Sequence, residues 1–161
     1  MRAIRDQSVC PLDPLCDAGM GPLNTDATHR VTLAGYWRGP WGMVVSGMYR
    51  YRSARAYTVW AGDDLNGDGF RFDLPADVSH VGAARGHSFS QFDLRVSKLF
   101  DFGNDFGIEL IAEVFNLLNA TNPSGYIGNR LASNYGEPTA YAGDPLQGEQ
   151  RLAQLGLRVT F

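Results

Sequence analysis

Five stretches of the chain alternate apolar and polar side chains with a period of two. Successive side chains of a β-strand point to opposite faces, so each stretch predicts a strand with one apolar and one wet face. In residues 28–38, Val31, Leu33, Gly35 and Trp37 share one face, with Arg30, Thr32, Ala34, Tyr36 and Arg38 on the other. Residues 41–52 set Trp41, Met43, Val45, Gly47, Tyr49 and Tyr51 against Gly42, Val44, Ser46, Met48, Arg50 and Arg52. Residues 89–100 set Phe92, Leu94, Val96 and Phe100 against Gln91, Asp93, Arg95 and Ser97, with Lys98 on the apolar face near a strand end, where it can snorkel. Residues 107–119 line up Ile108, Leu110, Ala112 and Val114 opposite Glu109 and Glu113, and the alternation blurs near residues 115–118. Residues 150–161 carry Ala153, Leu155, Leu157, Val159 and Phe161 on one face and Gln150, Gln154, Gly156, Arg158 and Thr160 on the other.

The connections between these strands alternate in length. Gly39-Pro40 and the segment 101–106, with Gly103-Asn104, read as tight turns. Residues 1–26, 53–87 and 120–149 are long, polar and rich in Gly, Asp and Pro. Outer-membrane β-barrels have short periplasmic turns on one rim and long extracellular loops on the other, so placing the carboxy terminus in the periplasm accounts for every connection at once. Trp37 and Trp41 flank the first turn, and Tyr49 and Tyr51 lie at the far end of the same strand, the layout of two aromatic girdles. The expected fold is therefore all-β, an antiparallel up-and-down meander of about five long strands forming a partial transmembrane β-barrel.

Composition changes this picture little. The chain has 161 residues, 44% of them hydrophobic, and no run of about 18 apolar residues that a transmembrane helix needs. Barrel strands cross with about 10 residues each and escape hydropathy averaging. The net charge is −3 and the arginines are scattered, with Lys98 the single lysine, so a nucleic-acid footprint is missing. Cys10 follows too soon after Arg2 and Arg5 for an export signal to fit. Five strands cannot close a barrel, since the smallest need about 8 and open edges in lipid leave backbone groups unsatisfied. The chain is thus expected to be the carboxy-terminal piece of a longer protein, residues 1–26 being an extracellular loop remnant and Met1 not the true start.

Four stretches, DLNGDG at 64–69, FDLRVSKLF at 92–100, EVFNLLNATNP at 113–123 and RLAQLGLRVTF at 151–161, resemble the end of a TonB-dependent outer-membrane receptor. The similarity is to the Oar-like group with an amino-terminal carboxypeptidase-regulatory-like domain, and it covers residues 27–161. It implies a plugged barrel of roughly 22 strands in the outer membrane of a Gram-negative bacterium, importing a siderophore, vitamin or glycan with energy from TonB. The implied partners are outer-membrane lipid, the rest of the barrel and plug, TonB through the missing amino-terminal part, and the barrel-assembly machinery, whose recognition signal the strand ending at Phe161 resembles. Plug, TonB box and most of the barrel are absent from this chain, so the transported ligand is not legible. Two rival readings share the strand pattern: a secreted calcium-binding β-sandwich that binds a ligand, and a porin or adhesin barrel fragment.

Candidate chemistry is sparse. Asp64, Asn66, Asp68 and Gly69 reproduce the D-x-N-x-D-G opening of a calcium loop, and Asp73 adds a carboxylate. The twelfth loop position, where a bidentate Glu belongs, is Pro75. The plain alternative is an Asp/Asn/Gly turn held by side-chain hydrogen bonds to backbone N–H groups. Cys10 and Cys16, spaced C-x5-C with no nearby ligand partner, do not suit zinc, and they read either as a short disulfide in an oxidising compartment or as two free thiols. His29, His80 and His87 lack metal-ligand spacing, and no acid, base and nucleophile grouping points to an enzyme. Tyr126, Tyr135 and Tyr141 are candidates either to stack on a ligand such as a sugar or simply to pack loops together.

Overall fold

The computed structural model describes residues 3–5, 9, 16–103, 105–142 and 150–161. Among these the regular structure is all-β apart from two single 3-10 turns, at Asp17–Gly19 and Pro40–Gly42. The strands are β1 (Ala3–Arg5), β2 (Met20–Pro22), β3 (Arg30–Arg38), β4 (Met43–Arg52), β5 (Ala56–Tyr57), β6 (Ala84–Arg85), β7 (Phe89–Asp101), β8 (Gly107–Phe115), β9 (Pro123–Tyr126), β10 (Pro138–Tyr141) and β11 (Leu152–Thr160). The long strands β3, β4, β7, β8 and β11 form one five-stranded antiparallel meander, each neighbouring the next in the chain. The short strands pair off as β1 with β2, β5 with β6 and β9 with β10.

Two compact units emerge. A sheet unit comprises Arg30–Tyr51, Phe89–Asn122 and Ala142–Phe161, and a loop unit comprises Met1–His29, Arg52–Ser88 and Pro123–Tyr141. The division separates the long strands from their long connections.

Register in the sheet unit follows the side-chain alternation. Leu94, Val114 and Ala153 stand in one row, and Val96, Ala112 and Leu155 in the next on the same face. The opposite face carries the rows Arg95, Glu113 and Gln154, and then Ser97, Ile111 and Gly156. A slip by one residue would exchange the two faces, so the binary pattern itself fixes the pairing. At about 3.3 Å per residue, the 13 residues of β7 reach roughly 43 Å.

Strand limits differ from the expected ones where the backbone must turn. The first strand begins at Arg30 rather than at residue 28, and the last runs from Leu152 to Thr160. Trp41 is not the first residue of β4. It sits in the 3-10 turn at φ 59°, ψ 31°, because Pro40 closes one side of the turn and the chain needs left-handed residues to re-enter the sheet. Gly42 follows at φ +73°, and a Cβ there would stand 2.6 Å from the Leu99 carbonyl oxygen, so only glycine fits. The strand expected to run to residue 119 stops at Phe115, because Asn116 takes φ 51° and breaks the ladder. The long polar segments read as plain loops also contain the three short hairpin pairs, too brief to show a period.

The units bury different residues. Among the described residues, the buried hydrophobic side chains are Val9, Ala56, Val59 and Val81, all in the loop unit. In the sheet unit the buried polar side chains are Gln91, Ser97, Asn116 and Asn122. Its apolar face stays open, with Leu33 63%, Leu155 88% and Leu157 65% exposed.

Candidate functional site

The wet face of the sheet unit is a ladder of charge. Arg50 on β4 donates to Asp93 on β7 at 3.1 Å. Arg95 on β7 donates to Glu113 on β8 at 3.0 Å, and the other Glu113 oxygen accepts from Gln154 on β11. One end of the sheet adds Arg158 to Glu109 at 3.2 Å. These pairs link β4, β7, β8 and β11, and Arg95 with Glu113 and Arg158 with Glu109 are directly opposed opposite charges of an antiparallel sheet. A groove of about 440 Å³ runs along this face beside Tyr36, Met48, Arg95, Glu113 and Phe115.

Asp93 and Asn116 join the sheet to the turn that follows β8. One Asp93 oxygen accepts from Gln91 Nε2 at 2.8 Å and from the Asn116 backbone N–H at 2.9 Å. The Asn116 side chain donates to the Ala120 carbonyl and accepts from the Ala120 N–H, both at 3.0 Å. Asn122 accepts from the Ser90 N–H at 2.9 Å and donates to the Ser90 carbonyl at 3.0 Å, while Asn119 accepts from the Arg151 N–H at 3.1 Å. The asparagines of the FNLLNATNP run thus serve as backbone substitutes at a corner where the ladder ends. Asparagine suits both tasks, since it tolerates positive φ and carries donor and acceptor on one short side chain.

Aromatic side chains crowd the end of the sheet unit that holds the two short turns. Trp37 is 57% exposed, Trp41 80% and Phe102 62%, and Phe100 and Phe106 are also exposed. The rings of Phe102 and Phe106 lie 5.7 Å apart across their turn. Pairing of Thr160 with Gly107 brings the carboxy terminus to this end, where Phe161 is 97% exposed. Lys98 lies on the apolar face with its ammonium 4.9 Å from the centre of the Phe100 ring. Phe102 and Phe106 were missed by the strand alternation because they sit in the turn, where no period operates. Tyr49 and Tyr51, half-buried, occupy the other end of β4.

In the loop unit the D-x-N-x-D-G stretch is a turn braced by its own carboxylates. Asp64 accepts from the N–H groups of Gly67 at 2.7 Å, Asp68 at 3.1 Å and Gly69 at 2.9 Å. Those N–H donors, Gly69 foremost, hold the Asp64 carboxyl below its ordinary range. Asp73, buried, accepts from the Leu65 N–H at 2.7 Å and from Asn66 Nδ2 at 2.9 Å, and Asp68 accepts from the Phe70 N–H at 2.8 Å. No group of three or more His, Cys, Asp or Glu arranged to hold a metal occurs among the described residues. The structure therefore brings Asp64, Asn66, Asp68 and Asp73 together, in the hydrogen-bonded form of the turn.

A second braced contact is Arg130 to Asp77, with both guanidinium nitrogens donating at 2.6 Å. That bidentate pair lowers the Asp77 carboxyl and raises Arg130 from their ordinary values. His80 Nδ1 lies 2.8 Å from the Val81 carbonyl oxygen, and the His29 N–H donates to Ser53 Oγ at 3.0 Å. Cys16 is disulfide-bonded. Cys10, its candidate partner, lies outside the described residues.

Tyr126 is held from three sides. Its ring stacks on Tyr57 with centroids 5.1 Å apart and on His87 at 5.9 Å, and its hydroxyl accepts from the His87 N–H at 2.8 Å. A Cβ on Gly86 would stand 2.1 Å from the same ring. Burial, followed by the neighbouring Tyr135 and Tyr126, pushes the Tyr57 phenol above its ordinary value. A cavity of about 450 Å³ opens beside these rings.

No family model, no curated protein and no solved structure matches the chain.

Proposed function

We propose that this chain supplies the carboxy-terminal strands of a TonB-dependent receptor in the outer membrane of a Gram-negative bacterium, import of a scarce nutrient being the work of the whole barrel. The observation that carries the reading is the open apolar face of the sheet unit. Water-facing monomers rarely leave so large an apolar surface exposed. Here Leu33, Leu110, Leu155 and Leu157 stand open on strands whose opposite face is an ion-pair ladder. Lipid on one side and an aqueous lumen on the other account for both faces, and the aromatic cluster at the turn end has the composition of an interfacial girdle. Porin and adhesin fragments share these strand features, and the quoted motif resemblance is what favours a receptor. A sandwich module needs a second sheet over the apolar face, and the other sheets among the described residues are two-stranded.

The test is refolding of the Trp60→Phe variant into vesicles containing lipids brominated at graded depths, so that Trp37 and Trp41 alone report. Quenching by shallow bromines is expected. A lipid-independent, soluble, cooperatively folding monomer with unquenched tryptophans would overturn the reading.

For the turn from Asp64 to Asp73 the supported role is a brace. Its carboxylates already accept backbone N–H bonds, with which calcium entering the turn would compete. Calorimetry at millimolar calcium decides between the two, since binding at the site releases or takes up heat and the brace alone is silent.

A further inference from the structure

Asn66 and Gly67 form the single Asn-Gly pair of the chain. Both residues are exposed and both belong to the loop unit, so their chemistry is independent of where the strands of the sheet unit reside. Glycine carries no side chain to keep its nitrogen away from the preceding amide, which makes such a pair the setting in which asparagine most readily deamidates. In that reaction the Gly67 nitrogen gives up its proton and bonds to Asn66 Cγ, and Nδ2 takes up a proton and leaves as ammonia. The resulting succinimide adds one water and opens at either carbonyl, to aspartate or to isoaspartate, without any oxidant or reductant.

The turn holds every group that must change in its resting form. The Gly67 N–H donates to Asp64 Oδ1 at 2.7 Å. Removing that proton would set a nitrogen anion against a carboxylate, and the N–H donors around Asp64, Gly69 foremost, keep the carboxyl below its ordinary range and therefore charged at neutral pH. Asn66 Oδ1 accepts from the Asp68 N–H at 2.8 Å. The leaving nitrogen, Asn66 Nδ2, donates to Asp73 Oδ1 at 2.9 Å and to Asp68 Oδ2 at 3.1 Å. An ionised carboxylate only accepts, so neither partner has a proton to give to departing ammonia. The Asn66 side chain cannot swing onto the Gly67 nitrogen without breaking its own bonds to Asp68 and Asp73.

We propose that Asn66-Gly67 is a deamidation site guarded by the turn, and that loss of the Asn66 amide opens the turn irreversibly. The aspartate product has no donor for Asp68 and Asp73 and adds a carboxylate beside Asp64, Asp68 and Asp73, where like charges repel. Isoaspartate also lengthens the backbone by a methylene, out of register with the bonds that Gly67, Asp68 and Gly69 make to Asp64.

The test incubates the full chain in mildly alkaline buffer, either refolded in detergent micelles or unfolded in guanidinium chloride. Mass spectrometry follows the peptide carrying residue 66, and isoaspartate-specific methylation counts that product. The folded chain is expected to deamidate at least about tenfold more slowly than the unfolded one, because only the open fraction of the turn reacts. Asp64→Asn, which keeps an acceptor oxygen and removes the charge facing the Gly67 nitrogen, is expected to react at least about threefold faster than the folded parent. Asp64→Ala is expected to approach the unfolded rate. Asp77→Ala, which cuts the Arg130 contact elsewhere in the loop unit, is expected to leave the rate unchanged. Equal rates in the folded and unfolded chains, or Asp64→Ala as slow as the parent, overturn the proposal. Asp77→Ala as fast as Asp64→Ala overturns it too, because general loosening of the loop unit then accounts for the rate. Where Asp64→Ala loses the Val81 amide signal, and with it the folded loop unit, the Asp64→Asn rate decides. Asn66→Asp, which reproduces one product, is expected to lose amide protection at Gly67 and Gly69, and unchanged protection there overturns the opening of the turn.

Discussion

The sheet unit and the loop unit differ in the side chains they seal from solvent, since the buried hydrophobic side chains among the described residues all lie in the loop unit. In the loop unit Val9, Ala56, Val59 and Val81 are buried together with one carboxylate, Asp73, while Leu65, Phe70, Phe72 and Leu131 stay exposed in its turns. In the sheet unit Gln91, Ser97, Asn116 and Asn122 are buried, while leucines on the lattice of long strands are left open. Both units expose large apolar side chains, and only the loop unit buries some of its own among the described residues. The loop unit carries its own small core, whereas the sheet unit leaves its apolar face open, and the proposed membrane setting would cover that face with lipid.

The strongest way to break this comparison is a charge on the open face. Leu110→Arg is expected to cost about 2–4 kcal/mol in urea unfolding from lipid vesicles, the range for arginine at the lipid midplane of a barrel. An effect within about 0.5 kcal/mol, ordinary for a water-facing surface, would put the open face in water and overturn the membrane reading. Truncation comes next in size. Asn116→Ala leaves the Ala120 N–H without its partner and its carbonyl with only the longer bond from Asn122 Nδ2 at 3.3 Å, and places alanine at φ 51°, an expected loss of about 3 kcal/mol. In the loop unit the matching loss follows an apolar deletion, Val81→Ala, at about 2 kcal/mol. Chemical denaturation of both variants sharpens the contrast, polar truncation being the costlier in one region and apolar truncation costly in the other.

Smaller still is Arg158→Ala. The Arg158 side chain is 65% exposed, so loss of its pair with Glu109 is expected to stay below about 1 kcal/mol in the same assay. The smallest effect is acid titration of the brace. The folded Asp64 carboxyl lies below its unfolded value of 3.8, so its contribution is complete above that pH and disappears as pH falls through the folded value. Amide signals of Gly67 and Gly69 are expected to hold steady down to about pH 4 and to lose protection only below it.

Much of the sheet was legible in the chain because a strand with one apolar and one polar face writes a period of two into its residues. The five strands and their two faces follow from that period, and their meander order is shown by the sheet itself. The turns were less legible. Trp41 continues the alternation of β4 on paper, yet Pro40 and the need for positive φ put it in the turn. Phe102 and Phe106 were invisible as part of the aromatic end because turns carry no period. The asparagine corner after Phe115 showed only as a blur, since what Asn116 and Asn122 do depends on carbonyls and N–H groups elsewhere in the chain.

The candidate sites divide in the same way. Residue types at 64, 66, 68 and 73 announced a loop of oxygen atoms, and both a cation and the loop's own N–H groups satisfy that announcement. Only the folded backbone showed that those N–H groups are aimed at the carboxylates. Tyr126 was one of three loop tyrosines until folding brought Tyr57, Gly86 and His87 against it from residues about forty or more positions away in the sequence. Alternation and local turn chemistry act over a few residues and are written in the sequence. Which distant loops meet, and hence where a cavity lined by arginine and aromatic rings forms, is a matter of long-range packing, and only the tertiary structure decided it.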